Sequence, residues 1–580
     1  MKTNGFALTA VFLLMSAWSF IVPIGEAPDE FAHWEYAHYV HANHRLPILN
    51  PSMDQWFQMP LYYLLLSPLA TEMDWPTSGT KVEPGQLIRF VDPLKRYYHS
   101  DEDLGNYWPI RRGRLFTGLL CLIGVLFCYH TALEVTNCRS TAFLAAGLMA
   151  LLPQFTFRSA AISNDSLATT LSAASIYYIV RMLNRGFSWT TAVLGTSAMG
   201  LAFVTKVHTL FLPAVWLLAI LLLPGSTRTR AKQGMALGVW VVIAAGLLIR
   251  NYALYQDPLL LRTEAIVAAQ YRTDRSLFSA YFLHMFPVWM SKSFVGWFGW
   301  MNLEAPAWLY QVFAGLLILS VIGYTRLMVL RKVDVRLTIV LVTTILLNTA
   351  VVVKANMTFT QPQGRYLFPA LSAICVLCAL GLRALPGWRP SAAYVAVAGL
   401  FVINVYILRN VVFPAYWDVP AIRQEVAEFA IGRLAGPLSV EQTFTSPCIN
   451  LDRVDIRIGT YGEKSDGKVL FKLEDAEQGT ERARLGIRAR EVVDGSFVRF
   501  EFWPVGNALG KQFRIRLRST SSLGRGVGVW CSYDDTLPGG SVKINGVAGA
   551  GDIAFRAYCA DQWGGGHLMA WIGAGLAKLL

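Results

Sequence analysis

The sequence predicts a membrane-embedded all-α domain of about eleven spans followed by an all-β sandwich. Three observations predict it. Apolar runs long enough to cross a bilayer recur from Phe6 to Phe413. The whole chain of 580 residues is 54% hydrophobic and only 15% charged, with a mean hydropathy of +0.40, outside the usual soluble range. From Ser439 onward the chain turns polar, and short alternating stretches are divided by turn residues.

The expected spans lie near 6–25, 113–133, 140–157, 166–183, 189–207, 209–224, 235–252, 307–328, 336–353, 367–385 and 391–412. The first follows Lys2 and reads as a retained helix, because it is long, no small-residue cleavage site follows it and many spans come later. With a cytoplasmic N-terminus, the short even-numbered connections collect Arg139, Arg181 and Arg185, then Arg228, Arg230 and Lys232. Arg326, Arg331, Lys332 and Arg336 follow, then Arg383 and Arg389, as the positive-inside rule requires. The opposite face then receives the outer loops 26–112 and 253–306, and long loops in a compact protein are usually functional. The expected organisation is a membrane domain over 1–415, a linker over 416–438 and an extracytoplasmic β-domain over 439–580.

A net charge of +13 invites comparison with nucleic-acid binders. The cations sit mainly in short connections rather than one patch, however, so they read as topology signals and no nucleic-acid partner is expected. The expected partner is the lipid bilayer. Of the eight cysteines, Cys121, Cys128, Cys375 and Cys378 lie in apolar runs and behave as small hydrophobes. Cys448, Cys531 and Cys559 lie in the polar domain, where one disulfide can form, and Cys531 with Cys559 is the expected pair.

In the polar domain the alternating stretches are Val454–Ile458, Lys468–Leu473, Ala483–Ala489, Phe497–Phe502, Gln512–Arg518, Gly526–Cys531, Ser541–Ile544 and Ile553–Tyr558. Asp494-Gly495, Gly539-Gly540 and Asn545-Gly546 separate some of them, a spacing that argues a sandwich of jelly-roll type. Trp503, Trp530 and Trp563 are equally suited to an aromatic platform and to the core. Leu568–Leu580 is too short to span a membrane and reads as a short surface helix.

Chemistry is expected in the outer loops. Past the first span stands Glu26-Ala27-Pro28-Asp29-Glu30-Phe31-Ala32-His33-Trp34-Glu35-Tyr36. Pro28 and the acidic pair suit a helix start, since the free N–H groups of a first turn favour negative charge. On that helix Asp29, His33 and Tyr36 share one face and Glu30 lies beside them, so a carboxylate and an imidazole meet at the membrane surface. Alternatively, the acidic pair only stabilises the helix N-terminus. Gln58-Met59-Pro60-Leu61-Tyr62-Tyr63 leads into an apolar stretch too short to span, as for an interfacial segment roofing a cavity. Asn164-Asp165, Lys206 with His208, and Gln361-Pro362-Gln363-Gly364-Arg365-Tyr366 stand at outer ends of spans. Lys206, Arg365 and the more weakly placed Arg250 either snorkel as anchors or bind an anion, and a guanidinium fork suits two phosphate oxygens.

Taken together in this order, Pro28-Asp29-Glu30…His33, Pro60-Leu61-Tyr62-Tyr63, Ser163-Asn164-Asp165, Lys206 and Gln363-Gly364-Arg365-Tyr366-Leu367-Phe368-Pro369 resemble a bacterial family of polytopic membrane proteins. That family in turn resembles the GT-C glycosyltransferase superfamily. Phe31 and Met59 stand where prolines are common in the family. The resemblance covers the membrane part and implies a GT-C-like fold in the bacterial cytoplasmic (inner) membrane. It also implies an inverting glycosyltransferase, a hexosyl or pentosyl transferase, drawing on a polyprenyl-phosphate sugar donor. The acceptor would be a cell-envelope glycan or glycolipid outside the cytoplasm. By the resemblance, Asp29 is the catalytic base, with Glu30 and His33 in the catalytic group. Arg365, Lys206, Gln363, Tyr62, Tyr63, Asn164, Asp165 and Arg250 would hold donor phosphate and substrate. Some GT-C branches hold a divalent cation, Mg or Mn, and others none; Asp29, Glu30 and Asp165 could form an oxygen set, though no spacing demands it. Two other readings are a transporter or flippase of lipid-linked sugars and a non-catalytic envelope glycan assembly protein.

Overall fold

A computed structural model describes residues 2–22, 24–48, 56–71, 108–223, 226–267, 269, 272–417, 420–462, 465–522 and 524–559. The chain divides into two compact units, Met1–Ala415 and Tyr416–Leu580.

In the first unit every expected span coincides with a helix. In chain order the helices are α1 (Lys2–Ile21), α2 (Glu30–Asn43), α3 (Leu61–Leu66), α4 (Trp108–Thr136), α5 (Arg139–Ala150), α6 (Pro153–Ser159), α7 (Asn164–Arg185) and α8 (Trp189–Phe203). They continue as α9 (Leu212–Leu222), α10 (Thr227–Tyr255), α11 (Leu261–Val267), α12 (Phe286–Val295), α13 (Ala307–Val329), α14 (Val335–Thr358), α15 (Leu371–Arg383) and α16 (Pro390–Ile407). Among the described residues, six helices are long and apolar enough to cross a membrane: Trp108–Thr136, Thr227–Tyr255, Ala307–Val329, Val335–Thr358, Gly364–Arg383 and Pro390–Ala415. A seventh crossing exists if α5 and α6 count as one span bent by 66° at Leu151 and Leu152. The chain is a multi-pass membrane protein, and the expected eleven spans include helices shorter or more polar than these. Several expected spans form helices too short or too polar to cross alone: α7 carries buried Asn164, Asp165, Ser166, Thr169 and Thr170, as an interior helix does.

Two departures from regular backbone set up the site. Asp29 does not sit inside the helix as expected. It is the N-cap of α2 in the left-handed region, with φ 67° and ψ 4°, a conformation uncommon for a residue bearing a Cβ. Gly364, at the start of a 3₁₀ turn over Gly364–Ala370, lies so close to α12 that an added Cβ would stand 2.2 Å from the backbone nitrogen of Phe294. Only glycine fits there.

A short antiparallel hairpin, β1 (Trp297–Phe298) and β2 (Leu303–Glu304), follows α12. The second unit is a sandwich. Its strands are β3 (Ile422–Gln424), β4 (Phe429–Leu434), β5 (Ser439–Thr445), β6 (Leu451–Gly459), β7 (Lys468–Asp475) and β8 (Glu481–Arg488). The remainder are β9 (Ser496–Val505), β10 (Gln512–Ser519), β11 (Val527–Cys531), β12 (Ser541–Ile544), β13 (Val547–Ala548) and β14 (Phe555–Cys559). One sheet runs β13-β12-β5-β10-β7-β8; the other runs β3-β14-β6-β11-β4, with β9 also paired to β6. Their inward residues, such as Phe444, Phe471, Ile515 and Leu517 from the first and Val454, Ile456, Phe500 and Phe555 from the second, form one buried core. All eight expected alternating stretches fall on strands. The stretch 416–438, read from sequence as linker, contributes β3 and β4.

The disulfide joins Cys448 to Cys559, and Cys531 is a buried free thiol, which corrects the expected Cys531–Cys559 pair. Pairing follows sheet neighbours: Cys559 lies opposite Leu451 on β6, three residues from Cys448, whereas Cys531 faces Phe429 on β4. Trp503 is 90% exposed and contributes nothing to the core. Trp530 is half-buried beneath Arg457. Trp563 and Leu568–Leu580 lie outside the described residues.

Candidate active site

Asp29 and Arg365, 336 positions apart, meet: Arg365 Nη2 donates to Asp29 Oδ2 at 2.7 Å. Around that pair lie Asp165 at the start of α7, Lys206 between α8 and α9, and Arg158 on α6. Arg365 Nη1 is 3.4 Å and Arg158 Nη2 is 3.6 Å from Asp165 Oδ2, and Lys206 Nζ binds Asp165 Oδ1. Three cations thus converge on two carboxylates. All but Asp29 are nearly excluded from solvent; the Asp29 side chain is 24% exposed and forms the accessible edge.

The cations are not fully used by these contacts. Arg158 Nε and Nη2 and Arg365 Nε are buried without a hydrogen-bond partner among the described residues. Unfilled donors in a buried site are costly, and a net positive chamber that holds them open suits an incoming anion. Tyr366 packs between these groups, with Lys206 Nζ and Arg365 Cζ each 5.1 Å from its ring and His208 stacked at 5.8 Å. Its hydroxyl donates to Gln361 Oε1 at 2.9 Å.

A second layer adjoins through His33. Its Nδ1 is 2.8 Å from the Tyr63 hydroxyl, which also accepts from Asn164 Nδ2 at 3.4 Å; Asn164 donates to Gln58 Oε1 at 3.1 Å. Burial pushes the His33 imidazole down to about 3, so the ring is neutral at ordinary pH. Burial alone would raise the Asp29 pKa, but Arg365 outweighs it and holds the carboxyl below its ordinary value.

Three expected site residues, Glu30, Tyr62 and Arg250, are engaged elsewhere. Glu30, one position from Asp29, is bound by Arg114 through Nε–Oε1 at 2.6 Å and Nη2–Oε2 at 2.5 Å, and it also accepts from the backbone nitrogens of Gly25 and Ile162. It was expected in the catalytic group; it is 1% exposed and its oxygens are fully employed by these contacts. Tyr62 is buried, within 2.8 Å of Thr117 Oγ1 and accepting from the Ser163 backbone, so it fastens α4 to the start of α7. Arg250 donates to the Pro47 carbonyl at 2.8 Å and to Asn251. Gln363 is the N-cap of the turn that carries Arg365 and makes no side-chain capping bond. Conversely, Arg158 escaped the sequence reading because it lies at the end of the apolar run 140–157; a guanidinium beside such a run was the available signal.

The expected cation set does not fit a divalent ion. Glu30 is committed to Arg114, while Asp29 and Asp165 are joined through Arg365, with Lys206 and Arg158 also on Asp165. A divalent ion there would be a fourth positive centre, repelled by the three already present.

Beside the chamber runs an apolar groove of about 920 Å³. It follows α13 from Tyr310 to Thr325 and is closed by α12 and α15; Phe294 and Leu367 line it, the latter two residues from Arg365. Lys292 also lines it, paired to Glu304 at 2.5 Å.

The chain matches one family model. Residues 93–265 are similar to the dolichyl-phosphate-mannose-protein mannosyltransferase family. That stretch carries Arg158, Asp165 and Lys206, and the match agrees with the GT-C resemblance expected from motifs within it and on both sides of it. Structures with a similar chain path include ArnT from Cupriavidus metallidurans bound to undecaprenyl phosphate, with 14% identity over 71% of this chain and 74% of that one and a TM-score of 0.44. The archaeal oligosaccharyltransferase AglB from Archaeoglobus fulgidus, in complex with an inhibitory peptide and a dolichol-phosphate, is 14% identical over 70% and 56%, with a TM-score of 0.41. Arabinosyltransferase EmbB from Mycobacterium smegmatis is 10% identical over 90% and 64%, with a TM-score of 0.36. Likenesses of this depth concern the path of the chain alone. No curated protein sequence matches.

Proposed function

We propose that this protein is a GT-C-type glycosyltransferase that moves a sugar from a polyprenyl-phosphate donor to a cell-envelope glycan or glycolipid outside the cytoplasm, with inversion. The observation that carries the reading is the partly exposed Asp29 on the edge of a chamber whose cations keep donors unfilled, next to a groove suited to an isoprenoid tail. Arg365, Arg158 and Lys206 bind the donor phosphate and stabilise the charge that builds on it as the anomeric bond breaks. Asp29 accepts the proton of the acceptor hydroxyl as that oxygen attacks the anomeric carbon from the opposite face. Its lowered pKa keeps it ionised and able to accept that proton, which the acceptor oxygen yields more readily as its bond to the anomeric carbon forms.

Asp165 holds the three cations together, and Glu30 with Arg114 fixes the start of α2 and so positions Asp29. His33, Tyr63 and Asn164 form a neutral wall toward the acceptor. The Cys448–Cys559 disulfide belongs in an oxidising compartment and supports an extracytoplasmic β-domain on the chain of a bacterial inner-membrane enzyme.

The test is purified protein in nanodiscs with a polyprenyl-phosphate sugar labelled in the sugar and an envelope glycan acceptor. Wild-type protein is expected to release carrier phosphate and label the acceptor, and Asp29→Asn to bind donor without doing either. Movement of intact donor between leaflets with no release of phosphate would replace the proposal with the transporter reading.

A further inference from the structure

The second unit has a face that the transfer reaction leaves unused. In the sheet β13-β12-β5-β10-β7-β8, alternate residues point away from the core, and pairing sets them in rows. One row across five strands reads Lys543, Glu441, Arg516, Lys472 and Arg484. The next reads Ser541, Thr443, Arg514, Glu474 and Glu481. Beyond these, Arg518 stands opposite Leu470, and Lys468 stands opposite Arg488.

The three carboxylates are shared among the central cations. Glu441 holds Arg516 at 2.9 Å and Arg514 at 3.8 Å, Glu474 holds Lys472 and Arg516, and Glu481 holds Lys472 at 3.2 Å and Arg484 at 2.6 Å. Cations on this face outnumber carboxylates eight to three. Lys468, Lys543 and Arg518 are exposed and have no ion pair among the described residues, and Arg488, 61% exposed, has only the equally exposed Glu491 at 3.6 Å.

Like charges placed directly opposite on neighbouring strands weaken a sheet. This sheet holds four such pairs: three of cations, Arg516 with Lys472, Lys472 with Arg484, and Lys468 with Arg488, and one of carboxylates, Glu474 with Glu481. A lattice of positive groups ~4.8 Å apart across strands and ~6.8 Å apart along them matches an extended polyanion better than a single small ion. Leu470 is the one apolar side chain among the outward residues named, whereas a face that enters a bilayer surface carries several large apolar groups. Thr443 and Ser541, with hydroxyls 2.9 Å apart, add partners for sugar hydroxyls. We infer that the outward face of β5, β7, β8, β10 and β12 binds an acidic polysaccharide. The inference is independent of the transfer reaction and needs no turnover to be tested.

The experiment uses the full chain in phosphatidylcholine nanodiscs, with polygalacturonate as probe, neutral dextran as control and phosphatidylglycerol vesicles as the competing surface. Polygalacturonate is expected to bind and dextran not. Affinity should fall about tenfold or more between about 0.05 M and about 0.3 M salt, because exposed charges are screened. The variant Lys468→Gln/Arg488→Gln/Arg518→Gln is expected to lose about tenfold in affinity with an unchanged or raised unfolding midpoint, since a like-charge pair is removed. Leu470→Lys, which adds a cation without removing any residue of the core, is expected to bind about threefold more tightly. The inference is overturned by equal retention on dextran and polygalacturonate, by wild-type binding in the triple variant, by no gain in Leu470→Lys, or by capture on phosphatidylglycerol vesicles alone.

Discussion

Glu30 and Asp29 are neighbours in the chain and opposites in surroundings. Glu30 lies in a pocket where Arg114 and two backbone amides occupy its oxygens, and solvent is excluded. Asp29 lies in a chamber with more cationic donors than acceptors, and it remains in reach of solvent. Both carboxylates are ionised and both face an arginine. The difference is that one arrangement is closed by the protein itself, whereas the other has donors still to be filled, so a ligand can complete only the second. A buried ion pair therefore marks a structural joint or a binding site according to what remains unpaired around it.

The strongest way to break this contrast is Asp29→Asn, which should lower turnover at least about 10³-fold while leaving the unfolding midpoint near wild type, as measured by carrier-phosphate release and thermal unfolding. Turnover at the wild-type rate would place Asp29 with Glu30 among structural groups. Glu30→Gln should do the reverse: leaving Arg114 buried with a neutral partner is expected to cost about 3 kcal/mol of stability, seen as a lower midpoint, with much less change in rate per folded molecule. Arg158→Gln sharpens the comparison, because Nε and Nη2 of Arg158 carry no hydrogen bond among the described residues, Nη1 makes only a long one to the Pro28 carbonyl at 3.4 Å, and Asp165 keeps Arg365 and Lys206 when Arg158 is lost. The variant's donor KM should rise about tenfold with little loss of stability.

The pH profile offers a smaller effect. A carboxyl held below its ordinary value keeps its charge, and whatever stability that charge brings, until pH falls through the lowered pKa; an imidazole pushed to about 3 stays neutral above it. The acid limb of kcat/KM should therefore lie below pH about 4. A limb near pH about 6.5 would show His33 titrating as an ordinary histidine. Smallest of all, Arg250→Ala should change kcat/KM by less than about threefold, since Arg250 binds the Pro47 carbonyl and Asn251 rather than the chamber.

Much of this was legible in the sequence, for reasons that differ by region. Long apolar runs announced the main helices and alternation eight of the strands, whereas the helices Leu261–Val267 and Phe286–Val295 lay in a stretch read as the outer loop 253–306. The convergence of Asp29 with Arg365 was legible because a charge at a membrane edge must find a partner or a use. The separate fates of Asp29 and Glu30 were not, since adjacent acidic residues at a helix start look alike until Arg114, 84 positions from Glu30, selects one of them. Arg158 was hidden by the apolar run before it, and the disulfide by its dependence on which strands lie side by side. The expected spans outnumber the helices that are long and apolar enough to cross alone, because a hydrophobic stretch buried by neighbouring helices and one facing lipid have the same composition.

Gly364 joins recognition to the tail groove. Its position admits no side chain, because the Phe294 backbone fills the place a Cβ would take; Ser293 Oγ receives its N–H at 2.8 Å, and the same hydroxyl donates to the Pro362 carbonyl at 3.2 Å. The groove wall and the guanidinium of the next residue are consequently geared together, so that, on the proposed function, an isoprenoid chain in the groove that shifts α12 would also re-aim Arg365. Tail length could then be felt as a rate at the sugar, with no tail atom near the reacting bond.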